Sequence, residues 1–206
     1  VPYPLPPIGR VTSGIMTLSS FEVSKAERIQ LPCPFSYPVR LCNLKRCLIV
    51  SRIPIAGSEH ELVIVNLHLE AYDSGEGKAA QTRILADLLQ KEAAAGNYVI
   101  AGGDFNQTFS NVDLSAYPQQ SSNLWAPGVI DVSEFGDSLS CITDSSAPTC
   151  RSLDKPYDGS DHKSFQYYVI DGFIVSNNLQ INSIKTINLD FKNSDHNPIK
   201  LEVELK

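Results

Sequence analysis

Val99-Ile100-Ala101-Gly102-Gly103-Asp104-Phe105-Asn106-Gln107 is the stretch on which the reading of this chain turns. An apolar run with a β-branched pair, Val99 and Ile100, reads as a buried strand. Gly102 and Gly103 let the backbone turn sharply and let another group come close. Asp104 and Asn106 are two residues apart, so in an extended segment their side chains point the same way. A carboxylate beside a carboxamide at a strand end suits phosphate chemistry at a metal. The carboxylate takes a proton or orients a water, and the amide donates to a phosphoryl oxygen. The same residues also fit an Asx turn that merely closes a strand.

Working outward, Lys78 to Ala95 is the clearest helix, with Ile84, Leu85, Leu88 and Leu89 as its apolar stripe and Gly96 placed to end it. Before it, Leu62 to Leu69 reads as a strand in which Asn66 and His68 share one face. Strand, helix, strand at this spacing predicts a crossover unit, with the two strands adjacent and parallel. His68 and the Asp104–Asn106 pair then lie at carboxyl ends of strands, where open α/β sheets place their sites. Cys47 to Ile53 reads as another strand, and Pro54 to Glu59 as a hairpin turn. Ser13 to Ser20 reads as a short strand that forms a ribbon with Phe21 to Leu31. Val1 to Gly9 is proline-rich and reads as the continuation of something longer. After the central stretch, Phe109–Asp131 and Phe135–Asp161 are long irregular segments of the kind that carry function. Tyr167 to Ser176 is a strand interrupted at Asp171-Gly172, Leu179 to Phe191 is a strand region, and Ile199 to Leu205 alternates as a closing strand.

With 206 residues the chain is long enough for one sizeable core, and a single domain is expected. Its 42% hydrophobic and 19% charged residues are ordinary for a globular protein, and no apolar run is long enough to span a bilayer. A net charge of −6 offers no basic footprint for passive nucleic-acid binding. It leaves open an enzyme that reaches phosphates through a divalent cation. None of the five cysteines forms a Cys-x-x-Cys pair, which argues against a structural zinc site. Cys141 and Cys150 either close a small disulfide, which would lean the location towards an oxidising compartment, or remain free thiols.

Four features ask for one explanation: His68, Asp104 with Asn106, Asp171 inside an apolar strand, and Asp195-His196. A carboxylate in an apolar strand is costly unless paired, and His196 is the plausible partner for Asp171. That pairing would fix the tautomer of His196 and raise the basicity of its other nitrogen. Asp195 would be left to ligate a cation; Mg²⁺ needs only one or two acids and several retained waters. Taken singly, each feature also reads blandly, as a core histidine, a bulge or a turn.

Together, Asn66-Leu67-His68-Leu69, Gly103-Asp104-Phe105-Asn106, Ile170-Asp171-Gly172-Phe173-Ile174-Val175-Ser176 and Ser194-Asp195-His196-Asn197-Pro198 resemble, in order, the motifs of the endonuclease/exonuclease/phosphatase superfamily of metal-dependent phosphoesterases. That superfamily includes pancreatic deoxyribonuclease, abasic-site endonucleases, neutral sphingomyelinases and inositol-polyphosphate phosphatases. The resemblance runs from about Ser13 to the carboxyl terminus. It implies a four-layer α/β sandwich, two packed mixed sheets flanked by helices, and a phosphoesterase using Mg²⁺, with Mn²⁺ as its substitute. It implies that His68 contacts the scissile phosphate as general acid, that Asp104 orients or deprotonates water, and that Asn106 holds a phosphoryl oxygen. It implies further that Asp195 binds the metal and that His196, backed by Asp171, acts on the phosphate or as base. The family also carries an Asn and a metal-binding Glu upstream of the Ser-Gly-Ile strand, and Glu22, Glu27 and Glu59 are not in that context. The expectation is therefore a domain lacking its amino-terminal part, which binds Mg²⁺ weakly. The implied partner is a phosphate ester (nucleic acid, phospholipid head group or sugar phosphate) bound by a monomer. The competing reading is a non-catalytic phosphoesterase-like binding module.

Overall fold

A computed structural model describes residues 13–206 of the protein except 74, 158, 160 and 161, so Val1–Gly9 lies outside the described residues. In chain order, β1 (Lys25–Gln30), a short helix α1 (Val39–Cys42), β2 (Cys47–Pro54) and β3 (Glu61–His68) precede the long helix α2 (Glu76–Ala94) and β4 (Tyr98–Asp104). Short strands follow: β5 (Gln107–Phe109), β6 (Gly128–Ile130), β7 (Leu139–Ile142), β8 (Cys150–Arg151) and β9 (Tyr167–Tyr168). The chain closes with β10 (Asp171–Ser176), β11 (Leu179–Thr186) and β12 (Ile199–Leu205). The main sheet is six-stranded and mixed, in the order β1-β2-β3-β4-β10-β7, while β5–β6, β8–β9 and β11–β12 pair separately.

The expected crossover forms. β3 and β4 are parallel neighbours from Leu62↔Tyr98 to His68↔Asp104, joined through α2. Leu85 and Leu89 of α2 are fully buried, and Ile84 and Leu88 flank them half-buried. The buried face of the helix is wider than its apolar stripe, because Gln81 and Thr82 are buried as well. Asp73 caps the helix from outside, its Oδ2 accepting from the amides of Gly75, Gly77 and Lys78. Gly96, at φ 83°, ends it as expected. Under α2 lie Leu48, Val50, Val63, Val65, Leu67, Val99, Ala101 and Ile174, in one core with Phe105 and Phe135. On the opposite face Ile49, Ile64 and Ile100 are only half-buried.

One expectation changes, and one open alternative is decided. Ser13 to Ser20 forms no strand; Asn66 on β3 ties it down through its side chain, donating to the Met16 carbonyl and to the Thr17 hydroxyl. β1 therefore pairs with β2 instead, from Lys25↔Arg52 to Gln30↔Cys47. Cys141 and Cys150 are free thiols, as are Cys33 and Cys47. Cys141 is held in the main sheet opposite Ile174, whereas Cys150 belongs to a separate cluster with Tyr168 and Ile170.

The sheet is pinned at the end away from the strand tips that carry His68 and Asp104. Arg52 of β2 reaches both Glu61 of β3 and Glu92 of α2, and Asn97 donates to Glu92 at 2.7 Å. Burial pushes the Glu92 carboxyl up, but hydrogen bonds from Arg52 and Asn97 outweigh it and hold it below its ordinary value of 4.5. Removing the guanidinium would strand a carboxylate whose side chain is 9% exposed. The cost lies between that of a surface pair and a buried one. Arg52→Met is expected to lower unfolding stability by about 2 kcal/mol at neutral pH, read by urea denaturation. Because the folded-state pKa of Glu92 is depressed, its contribution is present above about 4.5 and is lost as pH falls through the folded value. The difference between the two proteins should shrink in acid; a difference independent of pH would remove the ion pair as its cause.

Candidate active site

Strand register places three polar residues abreast. His68 at the end of β3 is the partner of Asp104 at the end of β4, and Asp104 is the partner of Asp171 at the start of the antiparallel β10. The approach of β3 to β4 here requires glycine: Gly103 has φ 146°, and a Cβ on it would collide with the Leu67 carbonyl. His196 arrives from the turn before β12. That turn is clamped to β8, since Arg151 N–H donates to Asp195 O at 3.0 Å and Asn197 N–H donates to Thr149 O at 2.8 Å. Buried Asn197 completes the clamp, its amide donating to Pro148 O and its side-chain oxygen accepting from Leu189 N–H.

The side chains converge on Asp104. Its Oδ2 lies 3.2 Å from His68 Nε2 and 3.8 Å from His196 Nε2. His196 Nδ1 lies 2.9 Å from Asp171 Oδ2, the pairing expected from the sequence. Asn106 reaches the site by a route other than the expected extended alternation, because its φ of 50° is left-handed. Its backbone N–H donates to Asp104 Oδ1 at 2.8 Å, and its side-chain amide donates to Asp104 Oδ2 at 3.1 Å and to Leu69 O at 3.0 Å. Both amide hydrogens are therefore committed to holding Asp104 and the chain after β3. Asp195, half-buried, meets the Ser194 hydroxyl at 3.5 Å.

The charge states follow from this packing. Burial, reinforced by the Arg46 guanidinium and by His196, pushes the His68 imidazole down to about 4. His68 is thus neutral at pH 7, and its contact with Asp104 is a hydrogen bond from a neutral imidazole rather than an ion pair. Burial and then the Asp171 carboxylate push Asp104 up to about 6, against the pull of His196 and of the Asn106 amide. Burial is the largest influence and works against protonated His196, but the hydrogen bonds and charge interactions of Asp171 and Cys150 together outweigh it, and the imidazole stays protonated well above its ordinary range.

His68, Asp104, Asn106, Asp195 and His196 line a cleft of about 440 Å³. Its far wall is Trp125, Leu124, Tyr168 and Leu153. The Trp125 indole N–H donates to Ala71 O at 2.9 Å and its ring meets Tyr168 edge to face at 5.1 Å, so this wall is built in rather than free to swing. Two cleft residues escaped the sequence reading. Arg46 is 8% exposed, and its Nε and the Oε2 of fully buried Glu70 lie 3.7 Å apart, each without a hydrogen-bond partner. Its only signal in sequence was an arginine directly ahead of an apolar strand. Cys150 lies beside His196 through an isolated antiparallel bridge, and nothing in sequence links the two.

Mixed sheet, crossover helix and a histidine–aspartate site at the strand ends define a DNase I-like α/β protein. Solved structures that share this fold include those of endonuclease/exonuclease/phosphatase proteins. One from Beutenbergia cavernae DSM 12333 is 20% identical, with a TM-score of 0.58 over 89% of this chain and 45% of that one. A mannosyl-6-phosphatase from Bacteroides thetaiotaomicron VPI-5482 is 15% identical, with a TM-score of 0.56 over 90% of this chain and 67% of that one. TDP2 from D. rerio, complexed with a single-strand DNA product, is 16% identical, with a TM-score of 0.58 over 89% of this chain and 68% of that one. The chain thus spans about half to two-thirds of the length of these structures. No protein-family model and no curated sequence matches it.

Proposed function

We propose that this chain is a phosphate-ester hydrolase dependent on a divalent cation, Mg²⁺ or Mn²⁺. The observation that carries the reading is the row His68–Asp104–Asp171 across three adjoining strands, with His196 locked over it and Asp195 beside it. The donor set fits Mg²⁺ modestly. Asp195 supplies one carboxylate on an open cleft, which suits an ion that keeps most of its waters, so saturation should need a high Mg²⁺ concentration. Asp195 would hold the cation, and the chemistry it would supply there is polarisation of a phosphoryl oxygen and neutralisation of charge.

The remaining work falls to the side chains. Asp104 takes a proton from the attacking water as the oxygen closes on phosphorus. The imidazolium of His196 gives its proton to the departing ester oxygen. This differs from the roles that the resemblance implied: His68 is held neutral and so orients Asp104 instead of acting as the acid, and Asn106 fixes Asp104 instead of a phosphoryl oxygen. Arg46, whose side chain lines the cleft, is the further cation for a phosphate oxygen. The likeness to a sugar phosphatase and to a DNA-bound enzyme leaves both nucleic-acid and small esters as substrates, and lipid esters remain a third branch.

The test is hydrolysis of supercoiled plasmid, of aryl phosphate mono- and diesters and of lipid phosphodiesters, with Mg²⁺ and with EDTA. Hydrolysis abolished by EDTA supports the proposal and identifies the branch. Binding of phosphate esters with no turnover of any would favour the binding-module reading. The pH profile is a second expected result. The groups facing Asp104 are His68, Asp171, His196 and Arg46. Because its folded pKa is raised to about 6, the base is fully formed only above that value. The rate should fall as pH drops through about 6 and should not follow an ordinary carboxylate near 4. An acid limb near 4 would remove Asp104 as the base.

A further inference from the structure

We infer that Cys150, Asp195 and His196 form a soft-metal site that takes Zn²⁺ and, when filled, withdraws His196 from hydrolysis. The inhibitory consequence rests on the phosphoesterase reading; the metal site does not.

One ligating atom from each of the three residues lies within 4.8 Å of the others. In a tetrahedral zinc site, with bonds of about 2.0–2.3 Å, the ligand atoms sit roughly 3–4 Å apart, so small side-chain rotations are enough to close this one. The backbone already holds the trio. Cys150 and His196 are direct partners in an antiparallel bridge, and the hydrogen bonds from Arg151 to Asp195 and from Asn197 to Thr149 flank them on both sides. The histidine is also set up as a ligand. Asp171 occupies Nδ1 at 2.9 Å, which leaves Nε2 for a metal, the carboxylate–histidine relay that orients and strengthens a zinc-binding imidazole.

Cys150 is 6% exposed yet lines the cleft, so a metal entering from solvent can reach its sulfur. On coordination the Cys150 thiol and the His196 Nε2 each give a proton to bulk water. The cleft supplies the fourth position with solvent. The thiolate also decides which ion is taken: Mg²⁺ demands oxygen donors, while sulfur with imidazole selects zinc. A filled site would hold the Nε2 that otherwise carries the proton for the leaving group. Zn²⁺ would then oppose Mg²⁺-dependent turnover instead of replacing Mg²⁺.

The test uses the 206-residue chain with Co²⁺ as a spectroscopic substitute for Zn²⁺. A near-ultraviolet thiolate-to-cobalt charge-transfer band is expected in the unaltered protein. The band should persist in Cys33→Ser and Cys47→Ser and vanish in Cys150→Ser. Zn²⁺ titrated against a chromophoric chelator should bind about 10–100-fold more weakly to Asp171→Asn, whose substitution removes the support behind His196 without touching a ligand. Should Cys150→Ser not fold by circular dichroism, alkylation of the unaltered protein followed by mass spectrometry decides, since Zn²⁺ must then slow modification of Cys150 selectively. No band in the unaltered protein, a band retained in Cys150→Ser, or alkylation of Cys150 indifferent to Zn²⁺ overturns the inference. If the band appears but no ester is hydrolysed, the metal site stands and the phosphoesterase reading fails.

Discussion

Asp104→Asn should lower turnover by about 10²–10⁴-fold while leaving the fold intact. The substitution keeps the shape of the side chain and removes its charge and its capacity to take a proton. It also reverses the hydrogen-bond pattern around Oδ2. That oxygen now accepts from the Asn106 amide at 3.1 Å and faces His68 Nε2 at 3.2 Å, and an amide nitrogen in its place would point a donor at two donors. Oδ1 can still accept from the Asn106 backbone, so the left-handed turn after β4 should survive. Stability should move the other way. A carboxyl pushed up to about 6 by burial and by Asp171 is a charge that folding disfavours, so that penalty is absent in acid and grows as pH rises from the ordinary carboxylate value through the folded one. Removing the charge lifts the penalty, and the melting temperature of Asp104→Asn above pH 7 should be no lower than that of the unaltered protein. Lost turnover with unchanged or raised stability is the pattern of a group kept for chemistry at the expense of stability. A variant that loses both together would instead mark Asp104 as a structural partner of Asn106 and His68.

The crossover unit was legible because its signals are local. The β-branched run at Val99, the helix from Lys78 and the alternation ending in His68 each lie within one element, and the right-handed crossover does the rest. Asp171 was legible for a different reason: an acid in an apolar strand must find a partner, and the cost of leaving it unpaired is large enough to predict one. What escaped depends on contacts distant in sequence. Ser13–Ser20 has the composition of a strand, but the place beside β2 goes to Lys25–Gln30, and the Asn66 side chain holds the earlier segment. Arg46 and Cys150 carry no signature of their own. One becomes a cleft residue because Glu70 is buried beside it, the other because β8 runs along the Asp195–Asn197 turn. Asn106 was placed at the site by reasoning that assumed an extended chain. It arrives there through a left-handed residue, which asparagine tolerates better than other non-glycine residues.

Asp171→Asn is expected to cost about as much as Asp104→Asn, roughly 10²–10⁴-fold in turnover, although Asp171 need never touch the substrate. It acts through His196. Its carboxylate accepts from Nδ1 at 2.9 Å and sustains the imidazolium against a burial that by itself would deprotonate it. An asparagine oxygen can keep the hydrogen bond but not the charge, and an asparagine nitrogen turned towards Nδ1 would select the wrong tautomer. In either case His196 becomes an ordinary or weaker base. The alkaline limb of the pH–rate profile, far above neutrality while Asp171 is ionised, should move down towards pH 7. The acid limb should move as well. Asp171 is one of the groups holding Asp104 up at about 6, and His196 remains protonated in acid, so without the carboxylate the base should ionise at lower pH. A variant that merely loosened the end of β10 would lose activity evenly across pH. One that removes a charge from between Asp104 and His196 shifts both limbs downward. Asp171→Glu, which restores the charge on a longer arm, should recover part of the alkaline limb; a loss of rate at every pH with both limbs in place would leave Asp171 no part in orienting His196.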